Sequence, residues 1–255
     1  MTPSQIRTQA RLQKAAIWTG PATVALMMVA LVCVARLVPL PHPSDSADEV
    51  AHMYRTHQDR IRAGAFLMFI AMGCLNFFVA AISHQLKRIP GPVASTCAQT
   101  QLIGGALGTF MVLWAPMIWI AACFRPEQRS PETLSTLNDL AFLAWIGNAS
   151  FVIGQSIAIA VAVFTDTGER PVYPRWVAYL NVWVVILYLP TAMDIFFHTG
   201  VFAWNGVIVF WIPAFVFFTW MLAMTLATVR AIDAEAIADD EGRAPRTVPG
   251  LQTVS

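Results

Sequence analysis

Apolar residues form six long runs along the chain, separated by short links that contain charged residues, proline or glycine. The runs cover residues 15–40, 62–84, 98–123, 140–165, 176–198 and 203–230. Each run reaches the length of roughly 20 residues that an α-helix needs to cross a hydrocarbon core about 30 Å thick. The pattern predicts an all-α polytopic membrane protein, a bundle of six transmembrane helices over residues 15–230.

Both ends of the chain are polar and are predicted to lie outside the membrane. Residues 1–14 form a short N-terminal tail, and residues 231–255 form a C-terminal tail that is predicted to be partly disordered. If both tails are cytoplasmic, the cytoplasmic segments carry ten Lys and Arg residues and the external segments carry six. This excess favours both termini in the cytoplasm, because positive residues concentrate on that side.

Composition supports a lipid environment. Hydrophobic residues make up 57% of the chain and charged residues 12%, about half of the roughly 25% that is usual in soluble domains. The formal net charge is only +1. Because binding to phosphates requires a concentrated basic face, nucleic acid is not an expected partner.

The link after the first run contains a helix-start signal. Ser46 and Glu49 have the spacing of a capping box, in which the two side chains satisfy free N–H groups at a helix N-terminus. Val50, Tyr54 and His57 then recur at helical spacing. The pattern predicts a short amphipathic helix over residues 46–60 that lies on the membrane surface, with these three side chains turned toward the membrane or a cavity.

Asp194 is the one acidic residue well inside a predicted span. Charged groups inside a bilayer are costly, and this makes Asp194 a candidate functional residue. His198 follows one helical turn later, so a continuous helix would present both side chains on the same face. Asp194, His198 and His57 are the candidates for acid–base chemistry.

Three prolines within the predicted spans indicate where a ligand could bind. Pro116, Pro190 and Pro213 fall in the same half of the bilayer, and each removes a backbone hydrogen bond. Aromatic and polar residues occur at the same depth, which is typical of a ligand pocket. The predicted ligand-binding residues are Trp114, Trp119, Asn148, Trp183, Pro190, Asp194, His198 and Trp211. The alternative is ordinary helix kinks combined with an interfacial belt of aromatic residues.

Other polar residues give weaker signals. The uncharged polar residues of the spans are predicted to form hydrogen bonds between helices; they are Asn76, Gln99, Gln101, Gln155 and Asn181. His52, His57, Asp194 and His198 have side chains that can ligate metals, but His52 and His57 do not share a helix face. No metal site and no cofactor are predicted.

Several segments resemble a known group of proteins. They are Ser46–Tyr54 with Arg60–Gly64, Phe124–Glu127, Leu137–Leu140, Pro174–Val177 and Phe202–Gly206. Together they resemble a family of six-span integral membrane proteins from actinobacteria and some proteobacteria. The resemblance covers nearly all of the membrane region and implies a bacterial cytoplasmic (inner) membrane. It supplies no catalytic residues.

Three functions remain open at this point. The favoured one is a membrane protein that binds or passes a small hydrophobic molecule through an outward-facing intramembrane cavity. The second is a membrane-embedded enzyme that acts on a lipid, terpenoid or steroid-like substrate, with Asp194 as acid or base. The third is a structural subunit of a membrane complex. The expected partners are the lipid bilayer and a small hydrophobic ligand, and the sequence leaves the oligomeric state open.

Overall fold

A computed structural model describes residues 2–241 and confirms the all-α fold. Over these residues the α-helices are α1 (Pro3–Met28), α2 (Ala47–Leu86), α3 (Pro92–Phe124), α4 (Pro131–Ile146), α5 (Ser150–Thr165), α6 (Arg175–Tyr188) and α7 (Ile212–Glu241). π-Helical turns extend α1 through Val29–Val34 and precede α7 at Val207–Trp211, and 3-10 turns form Pro126–Gln128 and Leu189–Phe196. Six stretches of helix are long and apolar enough to cross a membrane, as a multi-pass membrane protein requires.

The first and last helices extend beyond the predicted apolar runs. α1 begins at Pro3, where Thr2 and Gln5 form a capping box, so most of the predicted N-terminal tail is helical. α7 continues to Glu241, which makes residues 231–241 of the predicted C-terminal tail helical as well. The remainder of that tail lies outside the described residues. Because six spans separate them, the start of α1 and the end of α7 lie on the same side, here called the termini face.

The helix that contains the second span, α2, begins at Ala47, before the predicted start of that span. Ser46 caps α2 as expected: its hydroxyl accepts from Glu49 N at 3.3 Å, and Glu49 Oε2 accepts from Ser46 N at 2.8 Å. The predicted short helix is present before the second span: His57 has non-helical angles (φ −118°, ψ 16°) and forms a kink that divides α2 into a short first part and the span itself. Tyr54 does not face the membrane or the cavity as predicted: it is buried in the protein and donates to Asn138 Oδ1 on α4 at 3.1 Å.

The fourth span is broken in its middle. α4 ends at Ile146 and α5 begins at Ser150. Gly147 N donates to Leu143 O and closes α4, whereas Ala149 N donates to Gly147 O and does not continue the helical ladder. Glycine and asparagine are weak helix formers, which favours the interruption at this point. The break places free backbone groups of two helix ends inside the bundle.

The six spans form a closed ring. Each span packs against the next one along the chain, and α1 packs against α7. Glycines allow the closest approaches: a Cβ added to Gly64 would lie 2.6 Å from Ala35 Cβ and 2.8 Å from Ala30 O. The row of small residues on α3 serves packing within the chain, because Gly104 and Gly108 both contact α5.

A polar cluster joins three helices at the termini face. Glu235 on α7 accepts from Gln85 Nε2 on α2 at 2.9 Å and from Gln13 Nε2 on α1 at 3.5 Å. Arg88 Nε lies 3.6 Å from Glu235 Oε1. We call Gln13, Gln85, Arg88 and Glu235 the termini-face cluster. It fixes the first, second and last spans relative to one another.

Loops pack together at the other side of the bundle, here called the opposite face. Arg55 on α2 donates to Arg129 O at 2.9 Å and to Pro126 O at 3.3 Å, and so holds the loop between α3 and α4. Trp204 Nε1 donates to Pro41 O at 2.8 Å, which joins the loop before α2 to the loop before α7. These contacts cover the ring on that face.

Candidate functional site

The ring encloses a cavity of about 360 Å³. All six spans contribute to its wall, which is mostly aliphatic and aromatic and includes Met72, Phe78, Val112 and Phe217. Small-molecule sites in proteins have volumes of about 300–1,000 Å³ and mainly apolar walls. The cavity therefore has the size and character of a site for a small apolar molecule.

The cavity lies near the middle of the membrane-spanning region. Its depth follows from lining residues that lie near the centre of apolar stretches bounded by charged or titratable residues: Met27 between Lys14 and Arg36, Met72 between Arg62 and His84, and Val152 between Asp139 and Asp166. The prediction had placed the site nearer the external surface. The break between α4 and α5 reaches the cavity at the same depth, because Asn148 is part of its wall.

The cavity opens sideways. Three of its lining side chains are well exposed: Met28 (36%), Trp211 (45%) and Phe215 (71%). Met28 lies on α1, and the other two lie at the start of the last span. The opening is therefore at the seam between the first and last spans, where the protein surface faces lipid.

Few polar groups face the cavity, and most are already bonded. Tyr188 donates to Pro213 O at 3.1 Å, and Thr109 donates to Gly105 O at 3.0 Å. Gln155 differs from these two: its side chain lines the cavity, is only 7% exposed, and has no hydrogen-bond partner within residues 2–241. Its amide is available to a ligand as both donor and acceptor.

Of the five amides predicted to bond between helices, Asn76 and Gln99 are exposed on the surface, and the three buried ones differ from one another. Asn181 accepts from Trp220 Nε1 at 3.0 Å, and Gln101 donates to Val79 O at 3.4 Å. Gln155 forms no such bond. Sequence reasoning treated it like the other two, because an uncharged polar residue in a span gives the same signal whether it faces a neighbouring helix or a cavity.

The predicted ligand-binding residues do not all meet at this site. Asn148 and Trp211 line the cavity. Trp183 and Trp114 are exposed on the outside of the bundle, at 59% and 41%, and Pro190 does not line the cavity. Trp183 and Trp114 lie on helix faces that turn toward lipid, and only the packing of the ring decides which face that is.

Trp119 belongs to the protein core rather than to the cavity wall. Its ring lies 5.6 Å from Phe142 and 5.7 Å from Trp145, and Phe142 stacks on Trp204 at 5.5 Å. Aromatic pairs at these separations stabilise packing beyond the apolar area that they bury. Trp119 therefore joins α3 to α4 and holds Trp145, which does line the cavity, in place.

Asp194 is buried but does not line the cavity. It is 2% exposed, and neither carboxylate oxygen has a hydrogen-bond partner among the described residues. It lies beside the break in the fourth span: a Cβ added to Gly147 would lie 2.6 Å from Asp194 Oδ1. Asp194 is thus a predicted site residue whose carboxylate is buried without a hydrogen-bond partner among the described residues.

His198 and Asp194 do not share a helix face. Pro190 cannot donate a backbone hydrogen bond, and α6 ends at Tyr188. The 3-10 turn that follows ends at Phe196, and Phe197 is extended (φ −127°, ψ 120°). His198 is exposed beyond that end. His57 lies at the bend of α2, so the three acid–base candidates do not form one group.

No metal-binding group is found in the part of the chain that the structure describes. Over residues 2–241, His, Cys, Asp and Glu side chains nowhere gather in a set of three or more that could hold a metal ion. His52, His57, Asp194 and His198 are included in that search. The buried carboxylate of Asp194 therefore stands apart from the histidines.

Comparison of the chain with protein-family models, with curated proteins and with solved structures gives no match. The resemblance to six-span membrane proteins of actinobacteria and proteobacteria therefore stays a prediction.

Proposed function

We propose that this protein binds a small, mostly apolar molecule that enters its cavity from the surrounding lipid. The observation that carries the proposal is the mid-membrane cavity of about 360 Å³ with an opening between the first and last spans. Binding rather than catalysis is proposed because, among residues 2–241, no Asp, Glu, His, Lys or Cys side chain lines the cavity. Passage of the same molecule across the bilayer would use the same site.

The wall indicates which chemistry the ligand has. Apolar and aromatic side chains such as Phe78 and Phe217 favour a hydrocarbon or aromatic body. Gln155 adds one amide without a partner, and a buried polar group that gains a hydrogen bond on binding contributes to specificity. The expected ligand is therefore an apolar molecule with a single hydroxyl, carbonyl or amine group.

The enzyme hypothesis has less support. It required Asp194 to act on a bound substrate together with His57 or His198. Asp194 does not line the cavity, and His198 lies in the exposed loop beyond it. A general acid or base must reach the reacting group directly or through one water molecule, and this arrangement offers no such contact to a molecule in the cavity.

Filling the cavity tests the proposal. In Val152→Trp, a buried lining residue of α5 is replaced by an indole that occupies the space of the ligand. The probe is N-phenyl-1-naphthylamine, an apolar fluorophore with one N–H group, added to the full chain in nanodiscs. Energy transfer from the cavity tryptophans reports binding. We expect binding to weaken by about tenfold or more, equivalent to ~1.4 kcal/mol.

Ile157→Trp is the matched control. Ile157 lies on the same helix but is 48% exposed toward lipid, so the added indole stays outside the cavity. This variant should bind the probe as the wild type does. Equal loss of binding in both variants, or no loss in either at unchanged melting temperature, would contradict a binding site in the cavity.

We further propose that both termini lie in the cytoplasm of a bacterial cell, with the protein in the inner membrane. The support is the excess of Lys and Arg in segments on the termini face. In a variant without native cysteines, Ser4→Cys should not react with a membrane-impermeant maleimide added to intact cells. Ser44→Cys, in the exposed loop on the opposite face, should react. If Ser4→Cys reacts and Ser44→Cys does not, the termini lie outside the cell and the proposed topology is wrong.

A further inference from the structure

The carboxylate of Asp194 has no cationic partner among the described residues, and the polar group that acts on it is the backbone N–H of its neighbour Ile195. It is 2% exposed, and neither oxygen accepts a hydrogen bond from the described residues. A bare carboxylate in an apolar environment costs far more free energy than a packed helix bundle can offset. A charge at this position must therefore be neutralised.

A backbone oxygen, Leu143 O, lies on the same side of Gly147 as the Asp194 carboxylate. The Cβ position of Gly147 lies 2.6 Å from Asp194 Oδ1, 2.9 Å from Asp194 Oδ2 and 3.0 Å from Leu143 O. Three oxygen atoms thus gather on one side of Gly147. Leu143 O accepts from Gly147 N, but a carbonyl oxygen has a second lone pair. Leu143 O therefore keeps a free lone pair on the side of Gly147 where the carboxylate of Asp194 lies.

The C-terminal end of α4 adds to the negative charge near Asp194. α4 terminates at Ile146, and the carboxyl end of a helix carries a partial negative charge. Unwound carbonyls and half-helix ends of this kind hold Na⁺ or H⁺ in membrane proteins that have broken spans. The break over residues 147–149 supplies both features beside Asp194.

Within residues 2–241, no cationic side chain pairs with Asp194, and His198 in the loop after the turn is exposed. The elements packed against the 3-10 turn of Asp194 are α4, α6 and the π-helical turn before α7. Their titratable residues are Glu132 and Asp139 on α4, Arg175, Tyr179 and Tyr188 on α6, and none on the π-helical turn. Arg175 is the one cation among them, and it donates to backbone carbonyls at the termini face, including Phe164 O and Asp166 O.

We propose that Asp194, together with the broken end of α4 at Gly147, holds a small monovalent cation inside the membrane, either a proton or Na⁺. The site is separate from the ligand cavity but shares the broken span with it, because Asn148 lines the cavity and Gly147 contacts Asp194. The inference does not depend on the identity of the cavity ligand.

Infrared spectroscopy of the full chain in nanodiscs tests for the proton. We expect the difference spectrum between wild type and Asp194→Asn at pH 7 to contain the C=O stretch of a protonated carboxylic acid. The same comparison for Asp139→Asn is the control, since Asp139 is only partly buried on α4. That spectrum should contain the bands of an ionised carboxylate instead.

Thermal unfolding tests for Na⁺. If the cation is Na⁺, replacing choline by sodium raises the melting temperature of the wild type, because an ion that binds only the folded state stabilises it. Asp194→Asn should lose this shift, and Asp139→Asn should retain it. In this case the infrared spectrum shows Asp194 ionised.

Gly147→Ala provides a second variant that keeps the carboxylate. Its added methyl group would lie 2.6 Å from Asp194 Oδ1, so the carboxylate must move away from Leu143 O. We expect loss of the sodium shift or of the protonated-acid band in this variant too. The proposal is overturned if Asp194 is ionised at pH 7 and sodium leaves the melting temperature of the wild type unchanged. These measurements on Asp194 do not depend on whether N-phenyl-1-naphthylamine binds the cavity, so the two proposals can fail separately.

Discussion

Replacing Gly64 by alanine should destabilise the protein by about 1–3 kcal/mol, the usual effect of forcing extra atoms into a packed interior. The new methyl group would lie 2.6 Å from Ala35 Cβ and 2.8 Å from Ala30 O. One of these atoms belongs to the backbone of the π-helical turn that ends the first span. It cannot rotate away as a side chain can, so α1 and α2 must separate. Thermal unfolding in detergent measures the effect.

Gly73→Ala is the control for this prediction. Gly73 lies on the same helix, and a Cβ at this position meets no atom within 4 Å. Alanine is favoured over glycine in a helix by roughly 1 kcal/mol. The melting temperature of Gly73→Ala should therefore be equal to or higher than that of the wild type. If both variants unfold at the wild-type temperature, α1 and α2 do not approach as closely as described.

Replacing Glu235 by alanine should remove the centre of the termini-face cluster. Gln85 is fully buried and would keep only Gln13 Oε1 as an acceptor for its amide, and Arg88 would keep a half-buried charge without a carboxylate. Removing one partner of a fully buried pair costs about 3–5 kcal/mol; the Glu235 side chain is 18% exposed and water reaches it, so we expect ~2–3 kcal/mol. Unfolding in detergent with increasing denaturant measures the loss.

Asp233→Ala removes a comparable ion pair from the surface of the same helix. Asp233 pairs with Lys14, but its side chain is 51% exposed. Exposed pairs contribute about 0–1 kcal/mol, so this variant should unfold close to the wild type. Equal destabilisation by the two substitutions would mean that Glu235 contributes only a surface charge, and that α1, α2 and α7 are held together elsewhere.

The six spans could be predicted from the sequence because their number depends on length and hydropathy alone. The capping box at Ser46 could be predicted for a similar reason, since it involves residues only three apart. The break at Gly147 could not, because apolar residues continue on both sides of it and a single glycine is common in membrane helices. Its position depends on what packs against it, including Asp194.

The composition of the cavity depends on contacts between distant spans. Trp183 and Trp211 have the same signal in the sequence, an aromatic residue within a span. One faces lipid and the other lines the cavity, because α6 and α7 present different faces to the ring. Asp194 was identified by its charge, but its lack of a partner depends on which residues surround it. Gln155 gave no signal that distinguished it from Asn181.

The ring has a consequence for the way in which the protein assembles during synthesis. Neighbouring spans pack in the order in which they leave the ribosome, so most contacts form between a new span and the one before it. The packing of α7 against α1 is different, because it joins the two ends of the chain. Until the last span is inserted, the apolar wall built by the first five faces the bilayer as an open trough. A lipid that occupies this trough must leave, or be enclosed, when α7 arrives. The final insertion step therefore completes the wall of the cavity.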